Sequence, residues 1–301
     1  MEYIREANMN ISTGFTTEKL TDAIVTGEWF CAVALVYEKG VGLLFNLDGI
    51  KGIMPADQVM YSPANDEIKE ATVITRINKN VCFEVTDIKY DGNAPVAYLS
   101  RKNVQKKAFE NYIYTLTPGD IIGCKVTHID SFGVFCDVGC GITALLPIDF
   151  ISVSRIGSPA DRFETGQNIL ACIKSISPEG RIVLTHKELL GTWEENAAMF
   201  RQHTTVMGIV RSIEDYGIFI ELAPNLAGLA EVCNGIDVGD VVEVYIKSIL
   251  PEKMKVKLVI MSKIKDLPVS HDILYFTDSG HIDRWDYSSG NRRKNIFTVF
   301  E

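Results

Sequence analysis

Two ten-residue stretches decide the fold, because they are near copies of each other. Residues 129–138 read Ile-Asp-Ser-Phe-Gly-Val-Phe-Cys-Asp-Val, and residues 213–222 read Ile-Glu-Asp-Tyr-Gly-Ile-Phe-Ile-Glu-Leu, an offset of 84 positions. Downstream, Gly166 and Gly239 correspond at an offset of 73, and both copies continue into Ile-Lys-Ser-Ile. Self-similarity at a fixed period indicates a repeated structural unit. The chain therefore contains two copies of one small domain.

The change of offset from 84 to 73 places an insertion of about eleven residues in the earlier copy. The insertion must lie near residues 152–163, whose serine, glycine and proline content is typical of a loop. A weaker copy stands before both. Its residues 49–55 align with residues 141–147 at an offset of 92, and the same offset puts Gly40 and Leu43 where the other copies have aromatic residues.

Within each copy, short alternating segments are separated by Gly, Asp and Pro, which predicts strands. A repeat of roughly 70–90 residues with about five strands fits a small Greek-key barrel of the OB type. Gly133 and Gly217 lie inside strand patterns, where glycine marks the bends that barrel corners need. We therefore expect a mainly β protein with three tandem five-stranded OB-fold barrels, short linker helices and a C-terminal β-meander tail.

The expected boundaries follow the repeats. They are an N-terminal segment at 1–25, a first and degenerate barrel at 26–104, a linker helix at 105–116, a second barrel at 117–187, a linker helix at 188–204, a third barrel at 205–265 and the meander at 266–301. A short helix at 17–25, capped by Thr16 or Thr17, is expected before the first barrel. Strands at 273–276, 282–287 and 296–300 would form the meander, which would cap the third barrel.

The composition of the chain excludes several classes of protein. The chain has 301 residues, 47% hydrophobic and 23% charged, with a formal net charge of −9. No apolar run approaches the roughly 18 residues of a membrane span, and the mixed start of the chain is unlike a secretory signal. The seven cysteines contain no Cys-x-x-Cys pair, so they predict buried apolar residues in a reducing cytoplasm rather than disulfides or a zinc site.

The run Ser131-Phe132-Gly133-Val134-Phe135, followed by Gly166 and by Gly180-Arg181-Ile182-Val183-Leu184, resembles the S-one RNA-binding domain. That family is named after a bacterial small-subunit ribosomal protein. The resemblance is strong for 117–187 and 205–262 and moderate for 26–102, and the tandem arrangement is similar to that of the Gram-positive ribosomal members. It implies OB barrels that bind single-stranded RNA.

Single strands are bound by stacking bases on aromatic side chains beside a modestly positive groove. The resemblance assigns Phe132 and Phe135 to such a face in the second barrel, and a bend at Gly133 could bring both to one surface. The matching residues of the third barrel are Tyr216 and Phe219. Core packing is the alternative for Phe135 and Phe219.

Basic residues near these aromatics would supply salt-dependent phosphate contacts. The candidates are Lys125, His128, Lys174, Arg181, Arg211, Lys247 and Lys255. Arg181 and Lys255 match the basic position in the closing strand of the family. The basic residues 292–294 of the tail could also contact RNA. The alternative for these residues, and for Lys174, Lys247 and His128, is an ordinary solvated surface position with no RNA contact.

Departures from the family pattern make the repeats unequal. The family histidine is replaced by Pro147 in the second repeat and by Glu231 in the third. The first repeat lacks the aromatic pair, so we expect it to contribute reach or to dock to protein.

Two functions compete at this point. The first is a non-catalytic, cytoplasmic protein that binds single-stranded RNA in translation or mRNA handling, with the small ribosomal subunit as a further partner. The rival is a protein-interaction scaffold that docks to the ribosome or another RNA machine, with structural aromatics. The acidic charge favours the rival, and the repeated aromatic–Gly–x–Phe motif favours the first. An enzyme is not expected, since the sequence has no phosphate loop, nucleophile–base signature or metal constellation, and neither a cofactor nor a membrane partner is expected.

Overall fold

The computed structural model describes residues 3–64, 66–264, 273–288 and 295–301. It divides into two compact units. The first comprises Met1–Thr117, Cys136–Ala144 and Ser175–Ile182. The second comprises Pro118–Phe135, Leu145–Lys174 and Val183–Glu301.

Helix α1, Thr17–Thr26, precedes the first sheet as expected. The hydroxyl of Thr16 accepts a hydrogen bond from the Lys19 N–H at 3.2 Å, which satisfies one of the free amides at the helix start. The helix ends at Gly27, whose φ of 70° is the left-handed conformation that glycine adopts without strain.

The first repeat forms a six-stranded sheet of order β1-β5-β6-β4-β3-β2. Its strands are β1 Trp29–Val33, β2 Val36–Glu38, β3 Gly42–Leu47, β4 Ile50–Met54, β5 Asn80–Asp91 and β6 Ala94–Ser100, with helix α2, Glu70–Ile74, before β5. The sequence predicts five strands. The sixth arises because the first strand is broken: the Ala34 N–H donates to the Lys79 carbonyl, whereas the Leu35 N–H donates to Leu44. Its two halves therefore pair with opposite edges of the sheet.

The core of this sheet is apolar throughout. Its largest fully buried side chains are Leu20, Leu43, Leu47, Met54, Phe83 and Leu99. Helix α3, Arg101–Asn111, follows β6 directly. It begins four residues before the expected linker helix, because the Ser100 side chain accepts the Asn103 N–H and starts the helix there.

The second repeat is a closed barrel of order β10-β11-β9-β8-β7. Its strands are β7 Ile121–Asp130, β8 Gly133–Asp137, β9 Thr143–Pro147, β10 Asn168–Ile176 and β11 Ile182–Thr185. Helix α4, Trp193–Ala198, follows it. This helix begins later than the expected 188–204, because Thr192 and Glu195 form a capping box that fixes its start, and it ends earlier, at Ala198.

The third repeat is also a closed barrel, of order β12-β13-β14-β16-β15. Its strands are β12 Thr205–Glu214, β13 Gly217–Ala223, β14 Leu226–Ala230, β15 Val241–Leu250 and β16 Lys255–Ile264. Alternate residues such as Ile218, Ile220, Val242 and Val244 are fully buried inside it. The closed five-stranded barrels expected for the second and third repeats are thus confirmed.

The C-terminal tail has two strands in its described part, β17 Arg284–Asp286 and β18 Phe297–Val299, which pair antiparallel. The third expected strand, at 273–276, is not formed. The Phe276 N–H donates to the Leu189 carbonyl and the Tyr275 hydroxyl accepts from the Leu170 N–H, so this segment bonds to other parts of its unit. Trp285 and Tyr287 pack into the core of the third barrel. The basic cluster 292–294 lies outside the described residues.

Six of the seven cysteines are buried, as expected, and Cys233 is exposed. Within the described chain, no helix combines the length and apolar character needed to cross a membrane.

Candidate nucleic-acid interface

An exposed aromatic pair marks the turn between β7 and β8 of the second barrel. Phe132 is 51% exposed and Phe135 is half-buried on β8. Their ring centroids lie 5.9 Å apart with the planes at 88°, so the two rings meet edge to face. A Cβ on Gly133, between them, would lie 2.6 Å from the Leu146 carbonyl oxygen, so this position requires glycine. The structure brings the two predicted residues together on one surface.

His128 extends this aromatic surface. Its exposed ring lies 6.0 Å from that of Phe135 with an interplanar angle of 24°, which is a stacked arrangement. The Thr127 hydroxyl donates to the Phe135 carbonyl at 3.0 Å and ties β7 to β8 at this level. The second barrel therefore presents three neighbouring rings with a mixed orientation. Such a surface can accept a base by stacking.

The third barrel repeats the pair almost unchanged. Tyr216 is 71% exposed and Phe219 is half-buried, with centroids 6.0 Å apart and planes at 88°. A Cβ on Gly217 would lie 2.7 Å from the Ala230 carbonyl oxygen, as at the equivalent glycine of the second barrel. The same steric requirement therefore produces the same ring geometry in both barrels.

A row of outward residues crosses the third barrel at the level of Phe219. Phe219 is directly opposite Ser212 on β12 and Leu229 on β14, and Leu229 is opposite Lys257 on β16. Directly opposed residues share a face of the sheet. Because the neighbours of Phe219 point into the core, this row faces outward, and it places the exposed Lys257 on the aromatic surface.

Lys257 and Leu229 were not predicted as site residues. Lys257 lies two positions after the predicted Lys255, which is exposed on the same strand. Since side chains alternate along a strand, residues two apart share a face. That period-two pattern was the signal that could have identified Lys257.

The other predicted basic residues have different surroundings. Arg181 and Lys247 are exposed, and Lys125 is half-buried on β7, opposite Asn168. Lys247 occupies a bulge of β15, where the pairing register with β16 shifts between Ile246 and Ser248. The Lys174 ammonium lies 5.5 Å from the centre of the Phe300 ring, so the tail already contacts this side chain.

Arg211 has a structural environment. Its side chain is 9% exposed, its Nε donates to Glu221 at 2.9 Å, and its Nη1 lies 3.5 Å from Asp161. Glu221 is itself 4% exposed. A guanidinium held by two carboxylates has no free charge to offer a phosphate, and we therefore leave Arg211 out of the proposed interface.

The first repeat has no aromatic pair at the equivalent positions, and its register differs by one residue from the sequence alignment. A Cβ on Gly42 would lie 2.1 Å from the Met54 carbonyl oxygen, the same kind of contact that marks Gly133 and Gly217 in the other two barrels. Leu43 pairs with Met54 inside the core and Leu44 pairs with Ile53 on the outside. The aromatic positions therefore correspond to Val41 and Leu44, and the assignment to Gly40 and Leu43 is corrected.

No group of three or more His, Cys, Asp or Glu side chains suited to a metal ion occurs in the part of the chain that the structure describes.

Tandem OB-type barrels with matched aromatic pairs define a class of nucleic-acid-binding modules. The comparisons give the family: residues 115–187 match the model of the S1 RNA binding domain, the S-one family resembled above. The match spans the middle barrel, and the chain is similar to bacterial ribosomal protein bS1 over most of its own length.

Two relatives illustrate the similarity. Small ribosomal subunit protein bS1 of Leuconostoc lactis is 28% identical over 250 residues, covering 77% of this chain and 56% of that one. The bS1 protein of Rhodopseudomonas palustris is 30% identical over 220 residues, covering 71% of this chain and 37% of that one. The chain spans about half the length, or less, of these curated relatives.

Among solved structures, a multidomain protein with nucleic acid binding domains from Streptococcus pneumoniae aligns with 80% of this chain and 75% of its own. The TM-score is 0.26 and the identity 13%, values too low to support an inference about function.

Proposed function

We propose that this protein is a non-catalytic, cytoplasmic single-stranded RNA-binding protein. The observation that carries the proposal is the repeated edge-to-face aromatic pair, Phe132 with Phe135 and Tyr216 with Phe219, partly exposed at equivalent turns of two barrels. Core aromatics of small barrels are buried, whereas the first member of each pair is more than half exposed. Exposed rings beside a lysine supply the stacking and phosphate contacts that a single strand requires.

The matched domain is described as RNA-binding, and the relatives are proteins of the small ribosomal subunit. We extend both properties to this chain as part of the proposal: it acts in translation or mRNA handling, with the small ribosomal subunit as a further partner. The net charge of −9 means that affinity rests on stacking geometry more than on bulk electrostatics.

A direct binding measurement tests the proposal. Fluorescently labelled single-stranded RNA, titrated with the full chain at low salt, should bind saturably and more tightly than a duplex of the same sequence. Absence of binding at low salt would rule out the RNA function.

The rival function is a scaffold that docks to protein, which the acidic charge favours. In that case the chain should sediment with small ribosomal subunits while failing to bind free RNA, and substitution of the aromatic pairs should leave sedimentation unchanged. If RNA mediates the association, the same substitutions should weaken sedimentation.

A further inference from the structure

The insertion in the second repeat, residues 152–163, contacts the third barrel through hydrogen bonds and an ion pair. We call it the clamp loop. It connects β9, through a short helical turn, to β10 of the second barrel. Its two ends are fixed in the second barrel: Ile151 and Phe163 are fully buried, and both contact His186. The third repeat has no corresponding residues, which is why the repeat offset falls from 84 to 73.

The centre of the clamp loop bonds to the β13–β14 turn of the third barrel. The Val153 N–H donates to the Asn225 side-chain oxygen at 2.9 Å, and the Ser154 N–H donates to the Pro224 carbonyl at 3.2 Å. Asn225 is fully buried, and its amide nitrogen donates to the carbonyls of Lys187 and Gly191. One side chain therefore ties the third barrel both to the clamp loop and to the segment that leaves the second barrel.

A buried ion pair completes the contact. The two terminal nitrogens of Arg162 donate to the two carboxylate oxygens of Glu221 at 2.7 and 2.9 Å, with side chains 8% and 4% exposed. Glu221 lies two positions after Phe219 on β13, so both side chains leave the same side of the strand. Arg162 therefore covers the outer surface of the third barrel immediately beside its aromatic pair.

We infer that the clamp loop holds the second and third barrels in one fixed arrangement, so that their two aromatic faces bind a single continuous RNA strand. The inference rests on the proposed function, and it identifies the preferred substrate as a single strand long enough to contact both faces. A bidentate ion pair between an arginine and a carboxylate fixes the relative orientation of the two side chains. Arg162 is a positioning residue: it acts through Glu221 and not by touching RNA.

If the two aromatic faces are held at a fixed distance, the affinity for RNA should rise once the strand is long enough to reach both. Once a strand reaches the second face, its second contact is intramolecular, and linkage of this kind raises affinity on the order of 10²-fold or more when the geometry matches. Without the clamp, fewer contacts would hold the third barrel against the second, and the effective concentration of the second face would fall.

The test compares Arg162→Met with Arg155→Met, which removes the same charge from an exposed position in the same loop. In the Arg162→Met variant Glu221 keeps its hydrogen bonds from Arg211, so no buried carboxylate is left without a partner. Dissociation constants are measured for oligouridylates of increasing length. We expect the ratio of short-strand to long-strand dissociation constants to be on the order of 10² in the wild type, about tenfold lower in Arg162→Met and unchanged in Arg155→Met. Short-strand affinity should stay within twofold.

A second measurement reports the clamp itself. Spin labels on the exposed Cys233 and on an Asp149→Cys substitution allow the distance between the two barrels to be measured by pulsed electron resonance. The distribution should be narrow in the wild type and broad in Arg162→Met. A broad distance distribution in the wild type would overturn the inference, and so would an Arg162→Met distribution as narrow as that of the wild type. The inference would also fail if Arg162→Met broadened the distances but left the ratio of short-strand to long-strand dissociation constants unchanged. A wild type that binds short strands without any gain with length would overturn it alone, whereas failure to bind any strand would reject the proposed function.

Discussion

Phe132 and Phe135 meet edge to face across Gly133, with ring centroids 5.9 Å apart. A spacing of three residues would put these rings on opposite sides of a regular strand. They share a surface because Phe132 still lies in the turn, while Phe135 belongs to β8, which begins at Gly133. The backbone at this point passes so close to the Leu146 carbonyl that any side chain would collide with it. The aromatic pair therefore depends on the glycine between its members.

Gly133→Ala should destabilise the second unit by about 1–3 kcal/mol, since the new methyl group would have to displace backbone. Gly157→Ala is the matched control, because the nearest atom to a Cβ there is 3.7 Å away. Urea unfolding followed by tryptophan fluorescence measures both. Equal midpoints for the two variants would show that the close approach at Gly133 does not constrain the barrel.

Tyr216→Phe should retain RNA affinity within about twofold, whereas Tyr216→Ala should lose about 1–3 kcal/mol of binding free energy, the range measured for single stacked bases. The difference isolates the ring from the hydroxyl. Tyr90→Ala serves as the control, because Tyr90 is 65% exposed on β5 of the first repeat and outside the aromatic faces. Titration with labelled RNA gives all three values. Loss of affinity in Tyr216→Phe would mean that the contact is a hydrogen bond.

Glu6 and Arg101 form a buried pair that fastens the N-terminal segment within the first unit. Their bonds measure 2.7 and 2.8 Å, and the side chains are 5% and 3% exposed. The Arg101 charge and hydrogen bond lower the pKa of the Glu6 carboxyl, against the effect of burial. Glu6→Gln should therefore cost about 3–5 kcal/mol, because it leaves the Arg101 charge buried without its partner.

Glu110→Gln is the contrasting substitution, since Glu110 lies 3.9 Å from Lys106 on an exposed helix surface. It should change the free energy of unfolding by about 0.5 kcal/mol or less. Urea unfolding of the full chain measures both variants. A similar small effect for Glu6→Gln would contradict the structural role of the buried pair.

His186 makes the stability of the second unit depend on pH. It is fully buried, and burial lowers its pKa from 6.5 to about 4. Its Nδ1 lies 2.9 Å from the Ile151 carbonyl, as expected for a neutral ring that donates there. Because the pKa is lower in the folded state, the stability it contributes is present above pH 6.5 and is lost as the pH falls towards 4. Between pH 7.5 and pH 5 the loss should be about 2 kcal/mol.

The wild type should lose about this much more stability over that interval than His186→Gln, whose side chain does not titrate, when both are unfolded in urea at each pH. A pH dependence that is the same in the two proteins would show that His186 takes up its proton equally in the folded and unfolded states.

Sequence patterns predicted the closed barrels and both aromatic pairs, because these features depend on local alternation and on glycines at turns. The first repeat shows the limit. A single offset placed its aromatic positions at Gly40 and Leu43, but the steric requirement at Gly42 sets the register one residue later. The break between β1 and β2 depends on hydrogen bonds from Ala34 and Leu35 to strands far apart in sequence, which no local pattern contains.

Arg211 and the clamp loop show a second limit. The sequence identified the insertion as a loop but gave no partner for it, because Arg162 and Glu221 are 59 residues apart. The same pairing places Glu221 beside Arg211 and removes that residue from the candidate phosphate contacts. Tertiary ion pairs of this kind can be recognised only once the barrels are placed.

The most direct test of the account is the affinity of labelled single-stranded RNA for Phe132→Ala/Tyr216→Ala compared with the wild type. Phe297→Ala/Tyr90→Ala is the matched control, since it removes two rings of similar exposure outside the proposed faces. The account predicts that the first double substitution weakens binding by about 2 kcal/mol or more, roughly thirtyfold, while the control stays within twofold. Undiminished binding by Phe132→Ala/Tyr216→Ala would contradict the assignment of the aromatic pairs to the RNA interface.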